Sequence, residues 1–379
     1  MKNLLILYNP YYNQEMIEDH IRILSDANEP VEAKVGFGKI RSKIRNYEHS
    51  KEEIIETLYE GVSSDAPLQL FLTDFSSMYV CRVESILESL DGIDYPKYYD
   101  TLDVERWFVV TDIRELARHD FEYVRDKLLV GFTTPNYGNH TYALYGNRYD
   151  YPLEVKQKEP VDYFESYDEG ERHFQKVFKS AAYAQVRQTL TDYVFGKEIL
   201  YAMHPDSVES LIEAEVQYMA HKENATYDFS AVVINYAKVF ENESYYTLRV
   251  LFEILMGYDA KLEALSYSVQ GHRYQLIDYL NHKPNMGTNK HLLSHPKIYG
   301  TIKSMYGDYK KYGVLLNLLT FKLKNAITTV QEIRNEASHG GSISKTACET
   351  LRALLLGVGE ESILSELYSA KRRLLETDR

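Results

Sequence analysis

Three residues near the C-terminus could carry out chemistry together: Arg334, Asn335 and His339. Arg334 supplies a permanent cation whose planar fork matches phosphate oxygens, and His339 supplies a base that titrates near neutrality. Asn335 adds an amide that can orient either a phosphate or the histidine. This combination is suited to breaking the backbone of RNA, because the histidine can move protons while the arginine stabilises charge on the reacting phosphate.

The residues before this group predict the helix that must position it. Apolar residues recur at helical spacing from 315 to 333, and Gly340-Gly341 supplies a stop that tolerates left-handed backbone. Positions five apart on an ideal helix lie roughly 140° apart. Arg334 and His339 therefore do not share one face unless the last turn loosens at the diglycine. We expect the pair to act in a cleft formed with a second copy of the chain.

The segment Arg334-Asn335-x-x-x-His339, its diglycine and residues 344–357 resemble the HEPN superfamily. Members of that superfamily carry an Arg, four to six intervening residues and a His, very often with Asn directly after the Arg. Segments 207–220 and 227–241 are similar in character to the earlier helices of such domains. The resemblance covers roughly the last half of the chain and is strongest at 331–357.

This resemblance implies a metal-independent endoribonuclease without a cofactor, which cuts RNA as a homodimer with an Arg and a His from each protomer. It would fit a toxin or antiviral defence protein, or a stress-response enzyme, under the control of a trigger or a regulatory partner. Some HEPN domains are non-catalytic, so the alternative is an adaptor that serves dimerisation and partner binding. In that case Arg334 is a solvated helix residue, Asn335 a cap and His339 a helix-end residue.

Composition sets the outer bounds of these hypotheses. The chain has 379 residues, 44% apolar and 26% charged, which is ordinary for a globular protein with room for two domains. Cys81 and Cys348 stand far apart, which excludes a disulfide scaffold and a thiolate zinc site and fits a reducing cytoplasm. Only five apolar residues lie between Asn3 and Asn9-Pro10, too few for a secretory signal or a membrane span. The net charge of −13 argues against a general nucleic-acid coat, so RNA must be bound by local basic patches.

One short row of cations could be such a patch. Its members fall at alternate positions, so a strand would place all four on one face: Lys39, Arg41, Lys43 and Arg45. A row of this kind could follow a phosphate backbone, and it could equally be a charged edge strand that discourages aggregation. The nearby Gly36-x-Gly38-Lys39 lacks the first Gly and the Ser or Thr of a phosphate-binding loop.

Residues 1–152 predict a mixed α/β, strand-rich recognition domain. Strands are expected at 4–8, 68–73, 79–86 and 106–112, and helices at 14–24 and 50–59. These elements predict a small twisted sheet or barrel. Their order resembles PUA-like barrels, the group that includes ASCH and EVE domains. In such a domain Trp107, with Tyr79 or Phe108, could stack on a base, although such aromatic residues more often belong to a core.

Residues 153–203 predict a linker and a connecting helix, and residues 204–379 predict an all-α, HEPN-like bundle, giving an α+β protein. A long insertion interrupts the bundle at 258–308 and includes His291 and His295, whose spacing suits metal ligands only on a helix. We expect a loop there, with Pro296 ending the turn. Glu215 or Glu241 could orient His339 or Arg334, although each is more typical of a solvated or ion-paired carboxylate. The helices of the bundle are expected at about 207–222, 229–257, 310–339, 344–356 and 360–376.

Overall fold

The protein combines a strand-rich region with a helical region, as the sequence predicts. It divides into two compact units, Met1–Ala184 and Gln185–Arg379. No helix within the described ranges is both long enough and apolar enough to cross a membrane. The computed structural model describes residues 2–11, 13–27, 32–41, 52–167, 172, 181–224, 226–269, 271–338, 341–359 and 361–377.

The first unit is built from nine strands and three helices in its described part. In chain order they are β1 (Lys2–Leu7), α1 (Met16–Ser25), β2 (Val35–Ile40), α2 (Glu52–Glu60), β3 (Leu68–Thr73), β4 (Met78–Leu87), β5 (Val104–Ala117), α3 (Phe121–Tyr123), β6 (Phe132–Thr134), β7 (His140–Thr141), β8 (Leu153–Glu154) and β9 (Lys156–Gln157). The four strands expected from apolar runs are therefore confirmed as β1, β3, β4 and β5.

The main sheet has the strand order β2-β5-β4-β3-β1-β8, so the described strands form an open sheet with β2 at one edge. Only β1 and β3 pair in parallel, while the other neighbours are antiparallel. Leu4 and Leu5 are both fully buried although they point to opposite faces, so β1 is covered on both sides. A smaller sheet has the order β7-β6-β9. The start of the predicted linker thus forms strands β8 and β9 of the first unit.

Helix α1 packs on one face of the main sheet through an apolar stripe. Met16, Ile17, His20 and Leu24 are buried at helical spacing, as an amphipathic helix against a sheet requires. Burial lowers the pKa of His20 to about 4, so its ring is neutral in the core.

The helical region consists of ten helices and one hairpin within the described residues. They are α4 (Ala181–Thr189), α5 (Gly196–Ala202), α6 (Pro205–His221), α7 (Ser230–Tyr258), β10 (Ser266–Val269), β11 (His272–Gln275), α8 (Met286–Ser294), α9 (Pro296–Tyr306), α10 (Tyr309–Asn317), α11 (Leu323–Ser338), α12 (Lys345–Leu356) and α13 (Ile363–Thr377). The central helix is α7, which contacts α6, α11, α12 and α13. The predicted bundle helices are present.

The helix expected over 310–339 is interrupted. A π-helical turn, Leu318–Lys322, joins α10 to α11. A π turn takes up one additional residue, which keeps Leu315, Leu319 and Leu323 all buried. The apolar spacing therefore predicted the buried face correctly and missed the change in helix type.

The insertion at 258–308 is more regular than expected. It contains the β10–β11 hairpin and helices α8 and α9, so the loop expected around the two histidines is wrong. His291 lies in the last turn of α8, and Pro296 begins α9 at a position where its missing N–H is not needed. The His295 side chain accepts a hydrogen bond from the Lys297 amide at 3.3 Å and caps α9. No cluster of three metal-binding side chains occurs in the described parts of the chain.

Candidate functional site

Arg334 and Asn335 lie side by side in the last turns of α11, and both are exposed. Val330 and Ala337, four residues before and three residues after Arg334, are buried against the bundle core, so Arg334 lies at the edge of the buried face. The Arg334 carbonyl accepts a hydrogen bond from the Ser338 hydroxyl at 2.9 Å, so the helix is still regular there. Among the described residues the Arg334 guanidinium forms no ion pair and can reach a ligand. His339 and Gly340 lie outside the described residues.

The turn that follows the motif is held by the start of α7. The Asp228 carboxylate accepts hydrogen bonds from the Ile343 amide at 2.9 Å and from the Ser230 amide at 3.0 Å. The Phe229 amide donates to the Ile343 carbonyl at 3.1 Å, and the Ser230 hydroxyl donates to the Gly341 carbonyl at 3.2 Å. These bonds fix the chain on the far side of His339, so the start of α7 helps position the end of α11.

The same hydrogen bonds act on the titration of Asp228. The hydroxyl of Ser230 and the amides of Ile343 and Ser230 hold the pKa of the Asp228 carboxyl below its usual range. The group is therefore ionised at neutral pH and remains an acceptor for all of these donors.

Glu215 forms an ion pair inside the bundle. On α6 it is buried, and its two carboxylate oxygens accept hydrogen bonds from Arg352 of α12 at 2.8 Å each. The hydroxyl of Tyr236, on α7, donates to the same carboxylate. Glu215 therefore joins three helices within the bundle, which confirms the prediction of an ion-paired carboxylate.

Aromatic and thiol groups complete this buried polar network. The Arg352 guanidinium lies 4.7 Å from the centre of the Tyr218 ring, and the Tyr218 hydroxyl donates to Glu349 at 2.8 Å. Burial raises the pKa of Tyr218 to about 12, with a further contribution from Glu349. Burial and the charge of Glu215 raise the pKa of Cys348 to about 12. The thiol therefore stays protonated at neutral pH, which excludes Cys348 as a ready nucleophile.

The basic row on β2 is neutralised where the structure describes it. Lys39 forms an ion pair with Glu105 at 2.5 Å, and Arg41 forms one with Asp103 at 3.0 Å. Lys43 and Arg45 lie outside the described residues. Since β2 is an edge of the open sheet, these pairs favour the charged edge strand over a phosphate-binding row.

The candidate stacking aromatics of the first unit belong to its core. Trp107 is 9% exposed, Tyr79 is 4% exposed and Phe108 is fully buried. A Cβ atom at Gly38 would come within 2.7 Å of the Tyr99 ring, so this glycine allows aromatic packing. Gly36-x-Gly38 is thus explained by close contact with side chains, and none of the three aromatic rings is open to a base.

Two features of this region were not predicted from the sequence. The first is the clamp formed by Asp228, whose signal was an Asp two residues before a Ser at the start of a helix, a pattern typical of helix caps. The second is the pairing of Glu215 with Arg352, which are separated by 137 positions in the chain and meet only through helix packing. No local pattern identifies that partner.

No family model, no curated protein and no solved structure matches this chain. The function proposed next therefore rests on the residues of the site and their geometry, together with the resemblance of the motif.

Proposed function

We propose that this protein is a metal-independent endoribonuclease of the HEPN type, with Arg334, Asn335 and His339 as its catalytic residues. The observation that carries the proposal is the exposed pair Arg334 and Asn335 at the end of α11, where the guanidinium has no ion-pair partner among the described residues. A structural arginine is normally paired or packed, as Arg352 is in the same bundle. Arg334 is instead available to an anionic ligand.

The chemistry requires a proton acceptor and a cation at one phosphodiester. His339 takes the proton of the 2′-hydroxyl, the 2′-oxygen bonds to phosphorus, and the bond from phosphorus to the 5′-oxygen breaks. A proton then passes to the leaving 5′-oxygen. The products are a 2′,3′-cyclic phosphate and a 5′-hydroxyl. Arg334 stabilises the charge on the phosphorane-like transition state, and Asn335 orients the phosphate or the histidine.

The remaining parts of the proposal concern assembly and recognition. A homodimer would bring Arg334 and His339 of two protomers into one cleft, which the five-residue separation of the pair favours. The first unit, whose β3–β4 pair precedes the tryptophan-bearing strand β5, would act as a PUA-like recognition or sensing domain. A trigger or a regulatory partner would control the activity.

The test is cleavage of total RNA by purified protein in EDTA. We expect 5′-hydroxyl and 2′,3′-cyclic phosphate ends from the wild type. Arg334→Ala and His339→Ala should each lower the rate by about a hundredfold or more, the scale on which transition-state contacts and general-base groups act. Arg334→Lys keeps the charge and loses the planar fork, so it should restore only part of the rate.

Matched controls are available in the same unit. His272→Ala removes an exposed histidine of the hairpin, and Asn325→Ala removes an exposed amide of α11 far from Arg334. Both should cut like the wild type. Fragments that persist in His339→Ala would contradict the assignment, and loss of cutting in EDTA would contradict a metal-independent reaction.

One observation favours the second candidate function, a non-catalytic adaptor. The exposed acids Glu332 and Glu336 flank Arg334 on α11, and negative charge there opposes an approaching phosphate. Glu332→Gln/Glu336→Gln separates the two functions. In a nuclease this change should raise the rate of RNA cleavage, whereas in an adaptor RNA stays intact with or without it.

A further inference from the structure

The helices that follow the hairpin carry an unusual share of positive charge. Residues 286–331, which form α8, α9, α10 and most of α11, contain seven lysines and a single aspartate, in a chain of net charge −13. The lone acid, Asp308, accepts hydrogen bonds from the Lys310 and Lys311 amides and caps α10. The exposed lysines are Lys297, Lys303, Lys310 and Lys311.

A cleft opens within this basic surface, between α9 and the end of α7. Its volume is about 350 Å³, which suits a single nucleotide or a group of similar size. Lys261 and Lys297 line it together with the hydroxyls of Thr301 and Ser304 and the ring of Tyr258. Neither lysine forms an ion pair with any described residue. The cleft therefore combines cations, hydroxyl groups and an aromatic face.

The acidic residue that lines the cleft, Asp259, caps a short helical turn. The Asp259 carboxylate accepts a hydrogen bond from the Lys261 amide at 3.1 Å and caps the short helical turn Ala260–Leu262. Tyr258 is 59% exposed, and its hydroxyl lies 3.3 Å from the hydroxyl of Ser304, which links the ring to α9. An exposed ring beside two unpaired ammonium groups is the combination that binds a base and its phosphate.

The packing of α8 against α11 gives the distance between this cleft and Arg334. The Lys290 ammonium donates to the Thr328 hydroxyl at 2.7 Å, and Gly287 lies against Gln331, so the two helices run antiparallel. In this register the C-terminal end of α8 lies beside residue 324 of α11. Helix α9, which carries Lys297, begins directly after α8. Arg334 is ten residues further along α11, about 15 Å at 1.5 Å per residue. A strand of a few nucleotides can span that distance.

We propose that the surface formed by Tyr258, Lys261, Lys297, Thr301 and Ser304 binds single-stranded RNA, with phosphates on the two lysines and a base on the tyrosine ring. This inference rests on the proposed ribonuclease function, because the surface would hold the substrate strand beyond the bond that is cut. Exposed lysines of α9 and α10 extend the same positive surface, so the strand can continue past the cleft.

The experiment measures binding of a short, unstructured, fluorescent RNA by anisotropy. Every protein carries His339→Ala, so that the probe is not consumed. Lys261→Glu/Lys297→Glu should weaken binding by about tenfold or more, and the slope of log K against log salt should fall by about 1.4, that is 0.7 for each lost phosphate contact. Tyr258→Ala should weaken binding by about fivefold or more, whereas Tyr258→Phe, which keeps the ring, should bind like the parent protein.

The matched control is Lys238→Glu/Arg273→Glu, which makes the same change of charge at two exposed cations of the second unit that do not line the cleft. It should leave binding within about twofold of the parent protein, because net charge alone is a weak, screened effect. Equal weakening in both double variants would overturn the proposal. Competition by polyglutamate as strong as that by unlabelled RNA would also overturn it, since the surface would then recognise charge in any polyanion.

A parallel cleavage assay with His339 intact separates this inference from the proposed function. Lys261→Glu/Lys297→Glu should raise KM and leave kcat near the wild-type value. Unchanged KM together with normal cutting would contradict the proposed RNA-binding surface and support the nuclease. If RNA binding depends on these lysines and no RNA is cut, the result would instead contradict the nuclease and support the binding surface.

Discussion

Arg334 and Arg352 belong to the same helical bundle and have opposite environments. Arg352 is held by both oxygens of Glu215 and by the face of Tyr218, whereas Arg334 is exposed and forms no ion pair among the described residues. An arginine bound on two sides fixes helix packing, since its rigid fork loses little freedom on binding. An exposed one beside Asn335 can bind a ligand. Mutation of Arg352 should therefore lower stability, whereas mutation of Arg334 should lower activity.

Breaking the Glu215–Arg352 pair should destabilise the bundle strongly. Glu215→Leu leaves the charge of Arg352 buried without compensation, at a cost of about 3–5 kcal/mol in the free energy of unfolding. Glu215→Leu/Arg352→Met removes both charges and should recover much of that loss, because the desolvation penalty disappears with them. Urea unfolding of the two single variants and the double variant measures this coupling. If the single effects simply add in the double variant, the pair does not act as a unit.

At the scale of helices and strands, the sequence predicted what depends on long periodic patterns. Helices α6, α7, α11 and α12 were found from apolar spacing, and the four long strands from apolar runs. Helix α8 was missed because Gly287, Asn289 and His291 are poor helix formers and its apolar stripe is short. Strands β8 and β9 have two residues each, too few to show any alternation, and they exist only through pairing with β1 and β6.

In the candidate site, too, only features that depend on local sequence patterns could be predicted. The residues of the motif and the end of their helix could be predicted from spacing and from Gly340-Gly341. The partner of Glu215 could not, because Arg352 reaches it only after α6, α7 and α12 have packed together. Nor could the clamp of Asp228 on Ile343, which joins two positions 115 residues apart. Contacts of this kind depend on tertiary structure, and a single sequence carries no local signal for them.

The clamp predicts that the start of α7 controls the geometry at the end of α11. Asp228→Ala removes the acceptor for the Ile343 and Ser230 amides, so the turn after His339 should loosen. RNA cleavage should fall by about tenfold to a hundredfold, the cost of a small misplacement of catalytic groups, with RNA binding unchanged. Asp228→Asn keeps one acceptor oxygen and should retain more activity. Equal rates in Asp228→Ala and the wild type would show that the turn does not position the site.

The clamp should also weaken under acid conditions. Because the pKa of Asp228 is lowered in the folded protein, its contribution to stability is present above the ordinary carboxyl pKa and is lost as the pH falls through the folded value. At neutral pH the clamp is therefore intact. The comparison of Asp228→Ala with the wild type is best made there, since acid would remove from the wild type the interaction that the variant already lacks.

At the scale of the whole molecule, charge is unevenly distributed. A chain of net charge −13 repels RNA in general, yet residues 286–331, which include most of α11, form a positive segment. In the proposed ribonuclease, RNA would be attracted by that segment and not by Lys39 and Arg41, which are paired with acids. Dimerisation would double this positive surface and bring two copies of Arg334 and His339 together.

The proposed dimer makes activity depend on protein concentration. If each site needs residues from two protomers, only dimers of the 44.1 kDa chain cut RNA. The rate per protomer should then fall on dilution and follow the fraction of dimer measured by light scattering in the same buffer. Near full dissociation, halving the concentration should halve the rate per protomer, because the number of dimers falls with the square of the concentration. A constant rate per protomer across the transition to monomer would mean that Arg334 and His339 act within one chain, and the last turn of α11 would then have to loosen enough to bring them onto one face.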